Sequence, residues 1–256
     1  MMAHKKTAQL VILGASAIAD VSHDNVYMLL DSGDLKILID CGGSPTSRLM
    51  RAGFNILDLD GLIVTHHHPD HIYGVPILLM NLWLLGRRET FPVYGPQKTL
   101  RIIRGMMDLY EWDTWPDFVH VDFREIPLIP DTPVVSSNVV SITASPVAHM
   151  IPTIGLRITN QETGKVLAYT ADTMRDPRVV HLARDADILI HEATGEYFGH
   201  STGADAARDA LEAGIERLVL IHYASMRGNP QAILEEAKSI FQGPVELAED
   251  FKVYEF

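Results

Sequence analysis

The heptapeptide Thr65-His66-His67-His68-Pro69-Asp70-His71 places four ligand-type side chains, His66, His68, Asp70 and His71, within six positions. Imidazole offers an in-plane lone pair and a carboxylate offers a charged oxygen, so this density suits divalent cations. The run follows an apolar strand-like stretch, Gly61 to Thr65, and precedes a helical pattern. It therefore sits on a loop at a strand's carboxyl end, where α/β proteins collect their sites. His66 and His68 alternate and so project to one side of an extended segment. Pro69 bends the chain, and Asp70 and His71 turn back toward a neighbouring point, a geometry that suits two adjacent metals. A His-rich loop can also be plain polar surface, but four ligand types in six positions at a strand end argue against that. His67 should point away from its neighbours and is left out of the site.

A metal site needs more ligands than one loop provides. His149 follows the run Val139 to Ala144, in a loop containing Pro146 and Pro152; Asp172 follows Val166 to Thr170; His222 ends Arg217 to Ile221. Any one of the three alone could be a surface residue. Their shared placement at strand carboxyl ends recommends them as ligands. Cys41 is the only cysteine, so no intrachain disulfide is available and the site must use His and carboxylates. Such ligands without thiolate fit two divalent ions, with Zn2+ preferred and Mn2+ or Fe as alternatives.

The elements that must position these residues alternate along the chain. Strands are expected at Gln9–Leu13, Val26–Leu30, Lys36–Asp40, Gly61–Thr65 and Phe91–Tyr94, with helices at Ile72–Leu85 and Gln97–Tyr110. Strands follow at His120–Ile126, Val139–Ala144, Ile154–Thr159 and Val166–Thr170, the last two joined by a Gly164-containing turn. Helices Pro177–Arg184, Ala204–Ala213 and Pro230–Phe241 then alternate with strands Ile188–His191 and Arg217–His222. Strand runs in both halves, each followed by helices, imply two sheets packed face to face with helices outside. With no repeat and no linker, a single domain over 1–256 is the simplest account.

The totals narrow the partners. Lys and Arg number 21 against 33 Asp and Glu, a formal charge of −12, whereas a protein gripping a nucleic-acid backbone needs a basic footprint. No extensive nucleic-acid surface is expected. Lys98, Arg101 and Arg104, with Arg87 and Arg88 nearby, are read as a solvated helix face. The basic start, Met1 to Gln9, lacks an apolar stretch of signal-peptide length, and the run Val75 to Leu85 is too short to span a bilayer. A cytoplasmic location without a membrane partner is the natural expectation. Trp83, Trp112 and Trp115 could line a pocket or an interface, with core packing the default; Leu78 to Leu85 is assigned to a buried helix, and His4, His23, His120 and His181 have no ligand context.

Taken in order, HxHxDH at His66 to His71, then His149, Asp172 and His222, resemble the metallo-β-lactamase superfamily. The resemblance implies an αββα sandwich of two mixed sheets flanked by helices, with metals at one edge. By it, His66, His68 and His149 hold the first metal, Asp70, His71 and His222 the second, and Asp172 bridges them. His191-Glu-Ala-Thr194 is similar to the HEAT motif of ribonuclease Z, His200-Ser-Thr202 to its HST loop, and Tyr94-Gly-Pro96 to a segment of the same family. This implies a phosphodiesterase using a metal-bridging water that Asp70 orients or deprotonates. His200 becomes the candidate general acid and Glu192 the carboxylate that holds it or supports a ligand. Ser201 or Thr202 can equally be a helix cap. Short ribonuclease Z enzymes insert a tRNA-clasping arm between the third histidine and the bridging aspartate. Only 22 residues separate His149 from Asp172, room for a hairpin and little else. The expected substrate is therefore a small anionic ester or an RNA 3′ end, and the resemblance adds a homodimer. The alternatives are a cyclic-phosphate phosphodiesterase, an arylsulfatase, a lactonase or a non-catalytic binding module; the last usually lacks several ligands, and all seven positions are filled.

Overall fold

A computed structural model describes residues 7–224 and 229–256; His4 and most of the basic start lie outside the described residues. The first half runs β1 (Gln9–Gly14), β2 (Tyr27–Asp31), β3 (Lys36–Ile39), α1 (Pro45–Arg51), β4 (Gly61–Ile63), α2 (Pro69–Ile72), α3 (Val75–Leu84), β5 (Phe91–Gly95), α4 (Gln97–Asp108) and β6 (Val121–Glu125). The second half runs β7 (Thr132–Ser136), β8 (Val140–Pro146), β9 (Ile154–Asn160), β10 (Val166–Tyr169), α5 (Pro177–Ala183), β11 (Ile188–Glu192), α6 (Gly203–Ala213), β12 (Arg217–Ile221), α7 (Pro230–Lys238), β13 (Val245–Leu247) and β14 (Val253–Glu255).

Two seven-stranded mixed sheets result, ordered β14-β1-β2-β3-β4-β5-β6 and β13-β12-β11-β10-β9-β8-β7. In the first, β3 to β6 are parallel and the β1 side is antiparallel. In the second, β10 to β13 are parallel and β7 to β10 antiparallel. Alternation along the strands builds four layers. Leu10, Ile12, Met28, Leu30, Ile37 and Ile39 meet Leu156, Ile158, Tyr169, Ile190 and Ile221 between the sheets. The intervening Val11, Leu13, Leu29 and Leu38 face α3 and α4, and Ala168, Leu189, Leu218 and Leu220 face the alanine stripe of α6. Opposite side-chain faces at period two, both apolar, are what a sheet covered on both sides requires. The αββα architecture expected from sequence is the one observed.

Several local expectations are corrected. The helix expected over Ile72–Leu85 breaks at Tyr73-Gly74, because Gly74 packs under the β3–α1 loop. Its N–H donates to the Cys41 carbonyl at 2.9 Å, and a Cβ there would lie 2.3 Å from the Gly43 oxygen. Leu84 and Leu85 are exposed rather than buried. Trp83, Trp112 and Trp115 are only half-buried; Trp83 stacks on Trp115 at 5.3 Å, beside a surface groove of about 650 Å3 that Trp112 and Trp115 help line. Of the two cap candidates the sequence offers, Thr202 is the one that caps α6, in a reciprocal capping box with Asp205, as a helix starting at Gly203 requires. Among the described residues no helix is long and apolar enough to cross a membrane.

Candidate metal centre

The sheet geometry delivers the seven ligand candidates to one place. His66 and His68 leave the end of β4, Asp70 and His71 lie on α2, Asp172 follows β10, and His222 follows β12. His149 lies in the loop after β8. His66 Nε2 and His149 Nε2 stand 3.2 Å and 3.1 Å from His68 Nδ1. Asp172 Oδ2 faces this trio, 3.6 Å from His66 and 3.8 Å from His149. On the other side Asp172 Oδ1 lies 3.3 Å from His71 Nε2, and Asp70 Oδ2 lies 3.1 Å from His222 Nε2 and 3.8 Å from His71 Nε2. One carboxylate thus separates two clusters, His66, His68 and His149 from Asp70, His71 and His222. His67 points elsewhere, its Nδ1 lying 3.3 Å from the Thr99 hydroxyl on α4.

The chemistry of these donors fits cations. Buried polar atoms are nearly always partnered, yet among the described residues His71 Nε2 and Asp172 Oδ1 are buried with no hydrogen-bond partner. The ring tautomers are set from outside. Thr65 Oγ1 donates to Asp40 and accepts from His66 Nδ1 at 3.1 Å; His71 Nδ1 donates to Asp40 Oδ2 at 2.9 Å. His149 Nδ1 donates to the Gly199 carbonyl at 2.7 Å. His222 Nδ1 donates at 2.8 Å to Thr194 Oγ1, whose own proton goes to Glu192. In each case the outer nitrogen is engaged by a hydrogen bond and the inner nitrogen is turned toward the clusters, the orientation a metal ligand needs.

Charge at the centre is finely divided. Burial raises the Asp172 carboxyl, but His222, His71 and His66 outweigh it and hold the group well below the usual carboxylate range. Burial also raises Asp70, and its hydrogen bond to His222 with the nearby His71 brings it down to about 2. His66 is pushed well below the usual imidazole value by burial and by His71. For His71 burial acts downward, yet Asp172 and Asp40 lift it well above that value.

Glu192 and His200 stand beside the clusters. The buried Glu192 carboxylate accepts from Thr173 N, Thr194 N, Thr194 Oγ1, Ser201 N and His200 Nδ1, the last at 2.9 Å. Burial lowers His200, but the hydrogen bond and charge of Glu192 prevail and raise it. With Nδ1 committed to Glu192, Nε2 is the ring's remaining proton site. The His200 ring stacks on His222 at 5.9 Å and meets His149 edge-on at 4.9 Å.

Sequence reasoning missed Asp40, Thr65 and Thr194 as supports. Asp40 carried the same signal as the ligands, a carboxylate at a strand's carboxyl end. It sits at φ +58, and Ala171 and His222 at φ +53 and +55; such conformations for non-glycine residues collect where a side chain must be aimed. The His222 N–H donates to the Ala15 carbonyl, the Ala15 N–H donates to Asp250 Oδ1 at 3.0 Å, and Arg48 pairs with the same carboxylate. Asp40→Ala removes the acceptor that orients His71 and Thr65. It is expected to lower metal affinity, followed by titration against a chelator, by about 10–100-fold; unchanged affinity would deny Asp40 that part.

The comparisons with known proteins agree with this geometry. Residues 36–223, from β3 to just past His222, match the beta-lactamase superfamily domain. The chain belongs to the beta-lactamase superfamily. Ribonuclease Z of Myxococcus xanthus is 27% identical, the match covering 94% of this chain and 95% of that protein. Ribonuclease BN of Cronobacter sakazakii is 28% identical, with 84% and 87% covered. Among solved structures, the metallo-beta-lactamase fold protein YhfI of Bacillus subtilis superposes with a TM-score of 0.81 at 26% identity, covering 98% and 100%. The short form of human tRNase Z gives 0.76 at 25%, covering 96% and 98%. Within the superfamily the chain is thus ribonuclease Z-like along almost its whole length.

Proposed function

We propose that this superfamily member is a cytoplasmic, zinc-dependent phosphodiesterase. In it His66, His68 and His149 would hold one ion, Asp70, His71 and His222 would hold a second, and Asp172, between the two clusters, would serve both. The observation that carries the reading is Asp172 itself, buried, with one oxygen turned to each cluster. When bound, two divalent ions supply an acidified water and neutralise charge on a phosphoryl oxygen. The chain's own residues then divide the work. Asp70, beside His222, orients the attacking water and takes its proton. Glu192 holds His200 with its Nδ1–H engaged, so that Nε2 delivers a proton to the leaving oxygen. Thr65, Asp40 and Thr194 keep the imidazoles from rotating.

The substrate we favour is a small phosphodiester or an RNA 3′ end rather than a whole tRNA. Between His149 and Asp172 lie only β9, a turn at Asn160–Lys165 and β10. The match to Myxococcus xanthus ribonuclease Z extends over 301 positions, more than this chain contains, so that relative carries residues absent from this one. The formal charge of −12 points the same way. A homodimer is part of the reading by kinship alone.

The test is turnover of bis(p-nitrophenyl) phosphate with added Zn2+ or Mn2+. Chelation is expected to reduce the rate by more than about 100-fold and re-addition of metal to restore it, with about two metals per chain. Efficient hydrolysis of a lactone or a sulfate ester with no phosphodiester turnover would replace the activity assigned. Clearly less than one metal per chain after reconstitution would sink the binuclear site.

A further inference from the structure

His191 opens the His191-Glu-Ala-Thr194 segment and has no part in the chemistry above. It lies on β11 two positions after Leu189, so its side chain points with Leu189 into the layer between the second sheet and α6. Ala206, Ala207 and Ala210 make that layer apolar, yet His191 and Asp209 of α6 are both fully buried in it. Polar groups are costly there unless partnered, and these are partnered. His191 Nδ1 lies 2.7 Å from the Glu192 carbonyl oxygen, and Nε2 lies 3.4 Å from Asp209 Oδ2. The other oxygen, Asp209 Oδ1, lies 3.2 Å from Nε of the exposed Arg175, which also pairs with Glu212. A carbonyl only accepts, and so does a carboxylate, so both ring nitrogens of His191 donate. Burial alone would lower the imidazole, but the hydrogen bond to Asp209 and its charge prevail and raise it.

What His191 holds is the backbone of Glu192. β10 ends at Tyr169, opposite Ile190, so no residue of that strand lies beside Glu192. The Glu192 N–H donates instead to the Thr170 hydroxyl at 3.2 Å, and its C=O accepts from His191. Side chains thus hold both backbone groups of Glu192, and with them the direction of its Cα–Cβ bond. From there the carboxylate reaches Thr173, Thr194, Ser201 and His200. Arg175 follows Thr173 by two residues, so the same chain of contacts ties in the loop that carries Asp172. We propose that His191, braced by Asp209 and Arg175, is a positioning residue: its doubly donating ring fixes Glu192 so that the carboxylate keeps His200 aimed as proton donor. The inference rests on the phosphodiesterase reading above.

Two amide variants separate the ring's two contacts. In His191→Asn the amide nitrogen replaces Nδ1 and still donates to the Glu192 carbonyl; in His191→Gln it replaces Nε2 and reaches only Asp209. The readout is kcat on a dithymidine phosphate, which releases an alkoxide, relative to kcat on bis(p-nitrophenyl) phosphate, whose nitrophenolate needs no proton. His191→Gln is expected to lower that ratio by about 10-fold, part of what a general acid supplies, with metal content unchanged. His191→Asn should restore most of it. A merely structural role would slow both substrates alike. An unchanged ratio in His191→Gln, or equal loss in the two variants, would overturn the assignment. Should neither fold, Arg175→Gln at the exposed end is expected to lower the ratio in the same direction, and an unchanged ratio there counts equally against it. If the parent turns over neither substrate, the phosphodiesterase reading falls. The His200 Nδ1–H resonance of 15N-histidine-labelled protein then decides the positioning role, as it does where only the nitrophenyl ester reacts. Its loss in His191→Gln and retention in His191→Asn support the role; a signal unchanged in both removes it.

Discussion

Asp172→Asn is expected to lower kcat/KM on bis(p-nitrophenyl) phosphate by at least about 1,000-fold and to reduce the metal content below two per chain. The amide keeps the size and removes the charge, so the change is chemical rather than steric. Both clusters lose their shared anionic donor at once. His66, His71, His149 and His222 all approach that carboxylate within 3.3–3.8 Å. A substitution at a support such as Asp40 leaves every inward-facing donor atom in place, so its effect should be smaller. Elemental analysis beside initial rates checks the claim. A variant within tenfold of the parent, carrying two metals, would show that Asp172 is not the bridge.

His200→Ala is expected to slow the reaction by about 100–1,000-fold on a phosphodiester with a simple alkoxide leaving group. The loss should be much smaller on bis(p-nitrophenyl) phosphate, whose nitrophenolate departs without needing a proton. Glu192→Gln should reproduce part of the effect, because it weakens the hold on His200 Nδ1. The design also separates two roles, since Asp172, His200 and His222 are themselves close enough to share an ion. A proton donor can be removed with two metals retained. Loss of one metal in His200→Ala, with equal damage on both substrates, would instead make His200 a ligand.

The site was unusually legible because its chemistry lies in residue types at strand ends. His66, His68, Asp70 and His71 fall within six positions, and each remaining ligand candidate follows an apolar run. The supports were not legible for the opposite reason. Thr194 and Asp40 matter through partners far along the chain, and only the packed sheets bring His222 to Thr194 or His71 to Asp40. In the fold, strands flanked by alternating helices were readable from period. β7, β13 and β14 were missed: β13 and β14 are three residues each, and β7 contains Pro133. Edge strands bury little, so their sequences carry little alternation. The break at Gly74 did have a signal, Pro76 in the first turn of α3; the contact of Gly74 with the Cys41–Gly43 segment is tertiary and had none.

β14 gives the molecule a temporal property. It pairs with β1, and Ala8 and Phe256 exchange two backbone hydrogen bonds, so the earliest described strand is completed by the latest one. As the chain leaves the ribosome, the first sheet waits with an open edge until synthesis has passed Glu255. Asp250, just before that strand, is also the residue that steadies Ala15 and through it His222. Folding that depends on such distant pairing is slow. A nascent chain stalled before Asp250 would carry all seven ligand candidates and still lack the frame that gathers them.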